Sequence, residues 1–104
     1  MLTTNLYNLI NKKEQNFQIQ LANKNHAVFQ AHFPTNPLLP GFMMIEICAE
    51  ILNHEIQEIK KSKFMNQALP EDILDFLIIY KNSTVHVEIK NAETKIASIV
   101  YEKV

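Results

Sequence analysis

Three prolines fall within seven positions between Pro34 and Pro40, and the chain's single glycine, Gly41, follows at once. Proline cannot donate to a sheet ladder and breaks a helix interior. The run Pro34-Thr35-Asn36-Pro37-Leu38-Leu39-Pro40 is therefore confined to an extended loop with little freedom left to lose. Behind it comes the most apolar stretch of the chain, from Gly41 through Phe42, Met43, Met44, Ile45, Glu46, Ile47 and Cys48 to Ala49. Pro40 supplies a φ suited to a first helical turn. Gly41 admits another group close to the backbone where that turn still has unpaired N–H donors. A helix start of this kind favours a developing negative charge. Average usage would give a chain of this length about seven glycines, so the placing of the only one points to a site.

Composition bounds the alternatives. The 104 residues make one domain, 1–104, with room for a single core. A net charge of −1 and the lack of a basic stripe interleaved with aromatics argue against a nucleic-acid surface. Cys48 is the only cysteine, which excludes an intrachain disulfide and a cysteine-based zinc cluster. Met1 to Asn5 shows no basic region leading into an apolar run, and no segment approaches the ~18 consecutive apolar residues of a membrane span. These features predict a soluble cytoplasmic protein.

Periodicity then places the elements. Leu6, Tyr7, Leu9 and Ile10 fit a first strand or a helical turn. Phe17, Ile19 and Leu21 alternate with Gln18, Gln20 and Ala22, the pattern of a half-buried strand. Asn23-Lys24-Asn25 is a turn, and His26 to Gln30 is read as a second short strand. A helix is expected from Gly41 to about Lys61. Its first half is apolar nearly all round apart from Glu46 and Glu50, and its second half keeps Leu52, Ile56 and Ile59 at i, i+4, i+7. Lys60, Lys61 and Lys63 would suit its C-terminus. After Pro70-Glu71-Asp72 come three strands, Ile73 to Lys81, Thr84 to Lys90 and Lys95 to Glu102, joined by hairpin turns at Asn82-Ser83 and Asn91 to Thr94. Strands, one helix and a meander give an α+β class with an antiparallel sheet.

These residues resemble the hot-dog-fold 3-hydroxyacyl-[acyl carrier protein] dehydratases. In that family a His-Phe-Pro loop leads through Pro-Gly into a central helix that carries Glu or Asp. His32-Phe33-Pro34, Pro37, Pro40-Gly41 and Glu46 fit without a gap, with Glu46 fourteen positions after His32. Lys63-Phe64 and Leu69-Pro70-Glu71-Asp72 resemble the family's Phe-containing strand and Pro-Gly-Asp turn. The likeness covers roughly Phe17 to Lys103. The chain departs from the pattern at Ala31 and Thr35, where glycines are usual, at Glu50, where a polar amide is usual, and in a shorter lead-in to His32.

The resemblance implies a hot-dog fold, an antiparallel sheet wrapped around one long central helix. It also implies a (3R)-3-hydroxyacyl-thioester dehydratase that forms a trans-2-enoyl thioester without metal or organic cofactor. That reaction needs a base for the C2 proton, an acid for the departing C3 hydroxyl and a donor for the enolate-like oxygen. His32 is the candidate base, Glu46 the acid and the Gly41 N–H the donor. Phe33, Pro40, Phe42, Met43 and Glu50 are the candidate substrate-binding residues. Placed on the apolar half of a buried helix, Glu46 would be costly to ionise, and Glu50 one turn on would form a coupled pair with it sharing one proton. The facing His and Glu of the family come from different subunits, which implies a homodimer or an assembly of dimers. The partner implied is an acyl carrier protein bearing the thioester, or coenzyme A in its place. A hot-dog acyl thioesterase and a non-catalytic acyl-thioester-binding module remain the alternatives. Met43, Met44 and Cys48 fit either core or pocket lining. His26, His54 and His86 show no ligand spacing and read as strand-face or surface residues.

Overall fold

Period-two segments assemble into one antiparallel sheet in the computed structural model, which describes residues 3–31 and 35–104. In chain order the elements are β1 (Tyr7–Lys12), β2 (Asn16–Leu21), α1 (Ala27–Ala31), α2 (Gly41–Leu52), β3 (Ile56–Phe64), β4 (Ile73–Lys81), β5 (Thr84–Asn91) and β6 (Thr94–Lys103). The strands lie side by side as β1-β2-β4-β5-β6-β3. The expected antiparallel sheet with a central helix is therefore present. The strand that follows the helix crosses over to the far edge. Among the described residues no helix is long and apolar enough to cross a membrane.

Register decides the core. Phe17 lies opposite Phe76 and Ile19 opposite Leu74. Ile78 pairs with Val87, which in turn pairs with Ile99, and Ile89 pairs with Ala97. All are buried, and α2 sets Met43, Met44, Ile47 and Cys48 into the same core. Side chains directly opposite on one face of a sheet are close enough to pack, and burying each large apolar group is worth about 1.5–3 kcal/mol. Phe17 and Phe76 stack with ring centroids 4.4 Å apart.

Two expectations fail locally. The helix stops at Leu52, not near Lys61, because Asn53 turns into the left-handed region (φ 56°, ψ 45°) and its N–H and that of His54 bond back to Glu50 and Ala49. Asparagine tolerates that conformation and ends helices as glycine does. Ile56 and Ile59, although spaced for a helix, instead join β3, which pairs with β6 through two register shifts. Pairing with the open edge of β6 outweighs a weak helical periodicity. Lys60, Lys61 and Lys63 therefore stand on an edge strand, not at a helix end. The second failure is His26 to Gln30, which is not a strand. Asn23 Oδ1 accepts from the Asn25 N–H, and His26 Nδ1 accepts from the Val28 N–H, opening the short helix α1. His26 Nε2 then donates to the Thr4 carbonyl at 2.7 Å and ties this turn to the N-terminal segment.

At the far end of α2 a polar cluster closes the core. His54 Nδ1 lies 2.5 Å from the hydroxyl of the fully buried Tyr101, and Tyr80 reaches His54 Nε2 at 3.3 Å. Burial, with a smaller contribution from Lys103, holds His54 below the ordinary imidazole range. Burial also pushes the Cys48 thiol up to about 12. A buried neutral thiol is a packing group, not a nucleophile.

The turn Leu69-Pro70-Glu71-Asp72 brings β4 back beside β2. Asp72 N–H bonds to the Leu69 carbonyl at 3.1 Å, and the Asp72 carboxylate accepts from the Leu69 N–H at 2.8 Å. Glu71 occupies the third turn position with φ 69°, where a type II turn favours glycine. Glu71→Gly should therefore stabilise the fold by about 0.5–1 kcal/mol, the relief of left-handed strain less the entropy that glycine adds to the unfolded chain. Denaturant midpoints measure it; a lower midpoint for the variant contradicts this account of the turn.

Candidate active site

Pro40 sits just before α2 in extended conformation (φ −60°, ψ 143°), so it is the N-cap residue and Gly41 the first helical one. The loop before it is anchored by the Leu39 N–H, which bonds to the Ala68 carbonyl at 2.8 Å. Pro40 itself offers no side-chain cap, and no acidic residue lies in the first turn of the helix. The positive end of the helix is thus not neutralised by a side-chain carboxylate.

Gly41 sits at a close approach, and the approaching group is Phe64, the last residue of β3. A Cβ at position 41 would lie 2.6 Å from Phe64 Cζ and 2.8 Å from Cε1 and Cε2. Beside this contact is a cavity of about 290 Å³ lined by Leu38, Leu39, Gly41, Met44, Phe64 and Met65, with Asn66 and Gln67 at its polar margin. Met44 faces it, whereas Met43 is packed in the core. Phe64 was legible only as part of a strand resembling the family's; that it and Met65 come against the helix start depends on β3 crossing to the edge of the sheet beside β6. The contact itself leaves one trace in the sequence, the lone glycine that makes room.

Glu46 stands on the exposed stripe of α2 with Phe42 and Glu50, at spacings of four residues. The expectation of a helix enclosed on most sides, with Glu46 desolvated by its own chain, is thereby corrected. One sheet face covers one side of the helix only. Among the described residues Glu46 has no hydrogen-bond or ion-pair partner. His32 and Phe33 lie outside the described residues.

Glu50 differs from Glu46 in every respect but exposure. Its two oxygens accept from Thr3 Oγ1 at 2.6 Å and Tyr7 Oη at 2.5 Å. These bonds, Thr3 first and Tyr7 second, hold its carboxyl below the ordinary carboxylate range. Burial, assisted by the bond to Glu50, pushes the Tyr7 hydroxyl up. A carboxylate stabilised in its charged form is a poor partner for sharing a proton, so the coupled Glu46–Glu50 pair is not what this arrangement builds. Glu50 fastens the N-terminal segment and β1 to the helix.

A family profile described as ApeI-like, ApeI dehydratase, matches residues 9–100. The 3-hydroxyacyl-[acyl-carrier-protein] dehydratase FabZ of Idiomarina loihiensis is 28% identical, the match covering 68% of this chain and 58% of that protein. The corresponding FabZ of Alkaliphilus metalliredigens is 35% identical over 48% of this chain and 43% of its own length. The matches thus span about half the length of these relatives. Among solved structures, the dehydratase heterocomplex ApeI:P from Xenorhabdus doucetiae superposes with a TM-score of 0.76 at 18% identity, covering 93% of this chain and 96% of that one. Thioesterase superfamily member 2 from Mus musculus gives 0.63 at 12% identity, covering 94% and 80%. At such identities the structural likenesses establish the hot-dog fold, which dehydratase and thioesterase chains share.

The Glu50 bonds make a pH-dependent prediction. Because its folded pKa is depressed, its contribution is complete above the unfolded carboxylate value and is lost as pH falls through the folded one. Glu50→Gln should cost about 1 kcal/mol or less at pH 7 after solvent screening, and nothing once the wild-type carboxylate is protonated. Denaturation of both proteins at neutral and acid pH measures it; a penalty independent of pH contradicts the charged hydrogen bonds.

Proposed function

The chain belongs to the ApeI-like dehydratase family, and from that premise we propose that it removes water from a (3R)-3-hydroxyacyl thioester carried on an acyl carrier protein. The observation that carries this reading is the pairing of a proline-led helix start at Pro40-Gly41, with no acidic residue in its first turn, with a carboxyl group five residues along the same helix that no other described group engages. Five residues correspond to about 7.5 Å of helical rise.

In the proposed reaction His32 accepts the C2 proton as the C2–H bond breaks. The electron pair forms the C2=C3 double bond, and the C3–O bond breaks as Glu46 delivers a proton to the departing hydroxyl. Water leaves, and charge that builds on the thioester oxygen is met by the Gly41 N–H at the positive helix end. Substrate contacts fall to Phe33, Pro40, Phe42 and the apolar lining beside Gly41, while Glu50 holds the helix in place.

Glu46 must act as an acid, and within a single chain it is exposed. A second copy seated on the stripe of Phe42 and Glu46 would take it out of water and favour the uncharged form. Strand β3 supports such an assembly, since it is a sheet edge paired on one side only and carries exposed Ile59 and Phe64. A homodimer that contributes His32 from one chain and Glu46 from the other completes the site. The Xenorhabdus structure is a heterocomplex, so a related second chain is the alternative partner, and native mass of the purified protein separates the two.

The test is turnover of 3-hydroxyacyl thioesters on carrier protein and on coenzyme A, following enoyl product and free thiol. His32→Ala and Glu46→Gln should each lower enoyl formation by about 10²–10⁴-fold, with their folds intact by circular dichroism. Thiol release without enoyl product, or full activity in either variant, contradicts the proposal.

A further inference from the structure

The proposed base and the proposed acid are carried by elements that a third segment joins. Helix α1 ends at Ala31, and the next residue in the chain is His32. Buried Val28 and Phe29 seat α1 on the core, but two adjacent side chains on one short turn fix its position better than its tilt. The tilt is set at His26, whose Nε2 donates to the Thr4 carbonyl at 2.7 Å. Thr4 belongs to a turn closed by the Leu6 N–H on the Thr3 carbonyl at 3.0 Å, with Asn5 in the left-handed third position (φ 58°) that asparagine tolerates. The same segment reaches α2. Thr3 Oγ1 donates to one oxygen of Glu50, one helical turn beyond Glu46, and Tyr7 Oη donates to the other. Leu6 is fully buried, and its carbonyl accepts from the Ala22 N–H at 2.7 Å, which anchors the turn to the sheet. Thr3 to Tyr7 is therefore a brace with α1 at one end and α2 at the other.

Resting on the dehydratase reading above, we propose that His26 is a positioning residue for the reaction: its bond to Thr4 couples α1 to α2 through this brace and fixes where the chain delivers His32 relative to the helix of Gly41 and Glu46. The ring divides the work between its nitrogens. Nδ1 accepts from the Val28 N–H at 3.0 Å and starts α1, whereas Nε2 reaches across to the brace. Asparagine can supply only the first bond, because its amide ends near the Nδ1 position. Glutamine can supply the second, because its longer side chain reaches the Nε2 position. Among the described residues the ring makes no ion pair, so its contribution is geometric.

The experiment reads coupling and turnover separately on the full chain, in wild type, His26→Asn, His26→Gln and the double variant Thr3→Val with Tyr7→Phe, which cuts the brace at α2. Coupling is read by amide hydrogen exchange. His26→Asn should speed exchange at Leu6, in the turn. The double variant should speed it at Gln30, whose N–H bonds to the His26 carbonyl at 3.0 Å in α1. Each change should be about fivefold, the equivalent of one hydrogen bond. Turnover of a 3-hydroxyacyl thioester should fall by about 10- to 100-fold in kcat, with KM little changed, when either end of the brace is cut. His26→Gln should restore most of kcat, and adding His26→Asn to the double variant should cost nothing further, since both cut one brace. Wild-type kcat in His26→Asn, a Gln variant as impaired as the Asn one, or a loss carried by KM overturns the proposal. So does faster exchange confined to the substituted end. If exchange changes at both ends while no protein, wild type included, forms enoyl product, the brace stands and the dehydratase reading falls.

Discussion

Met43, Met44, Ile47 and Cys48 lock one side of α2 into the inward rows of the sheet, while Phe42, Glu46 and Glu50 run along the opposite side in solvent. Four fully buried side chains at about 1.5–3 kcal/mol each are comparable with the whole net stability of a small domain. The helix therefore cannot roll to cover Glu46 without unfolding. The acid proposed at Glu46, on so firmly held an element, keeps its position. The same constraint leaves the carboxyl uncovered within this chain, and in the proposed assembly a second copy covers it.

Both ends of the helix are shaped by side chains distant in sequence. At its start the Phe64 ring fills the space a Cβ would occupy at position 41. At its finish Asn53 reverses the chain in the left-handed region, and His54 drops onto Tyr101. Between them Glu50 is gripped by Thr3 and Tyr7. Two carboxylates one turn apart thus acquire different characters from their neighbours alone: one held charged and structural, the other without a partner among the described residues.

Much of this was legible in the sequence. The strict alternation of Phe17, Ile19 and Leu21, and of Val85, Val87 and Ile89, could be satisfied only by strands with one buried face. The prolines and Gly41 fixed where the helix begins. What was not legible depended on contacts between remote segments. Ile56 and Ile59 fit a helical spacing, and only the vacant edge of β6 makes them a strand. Asn53 was the one local sign of that break, and asparagine is too common outside such positions to announce it. The His26 segment misleads for a similar reason: its apolar pair Val28-Phe29 suits either period, and the hydrogen bond from Val28 to the His26 ring settles the matter. For the candidate site, the sequence named Gly41 and Glu46 but could not show that Glu46 is uncovered, nor that Phe64 stands over Gly41, because nothing in either local pattern refers to the other.

The central claim is that the site is shared, with the imidazole from one chain and the acid from its partner. Mixing His32→Ala and Glu46→Gln chains, after unfolding and refolding them together, tests it most directly. In a two-fold dimer each mixed pair holds one intact and one doubly defective site, so random assortment should restore about a quarter of wild-type enoyl formation from two inactive parents. No recovery, in a mixture shown by native mass to contain the mixed dimer, would mean that the two groups do not meet across the subunit boundary.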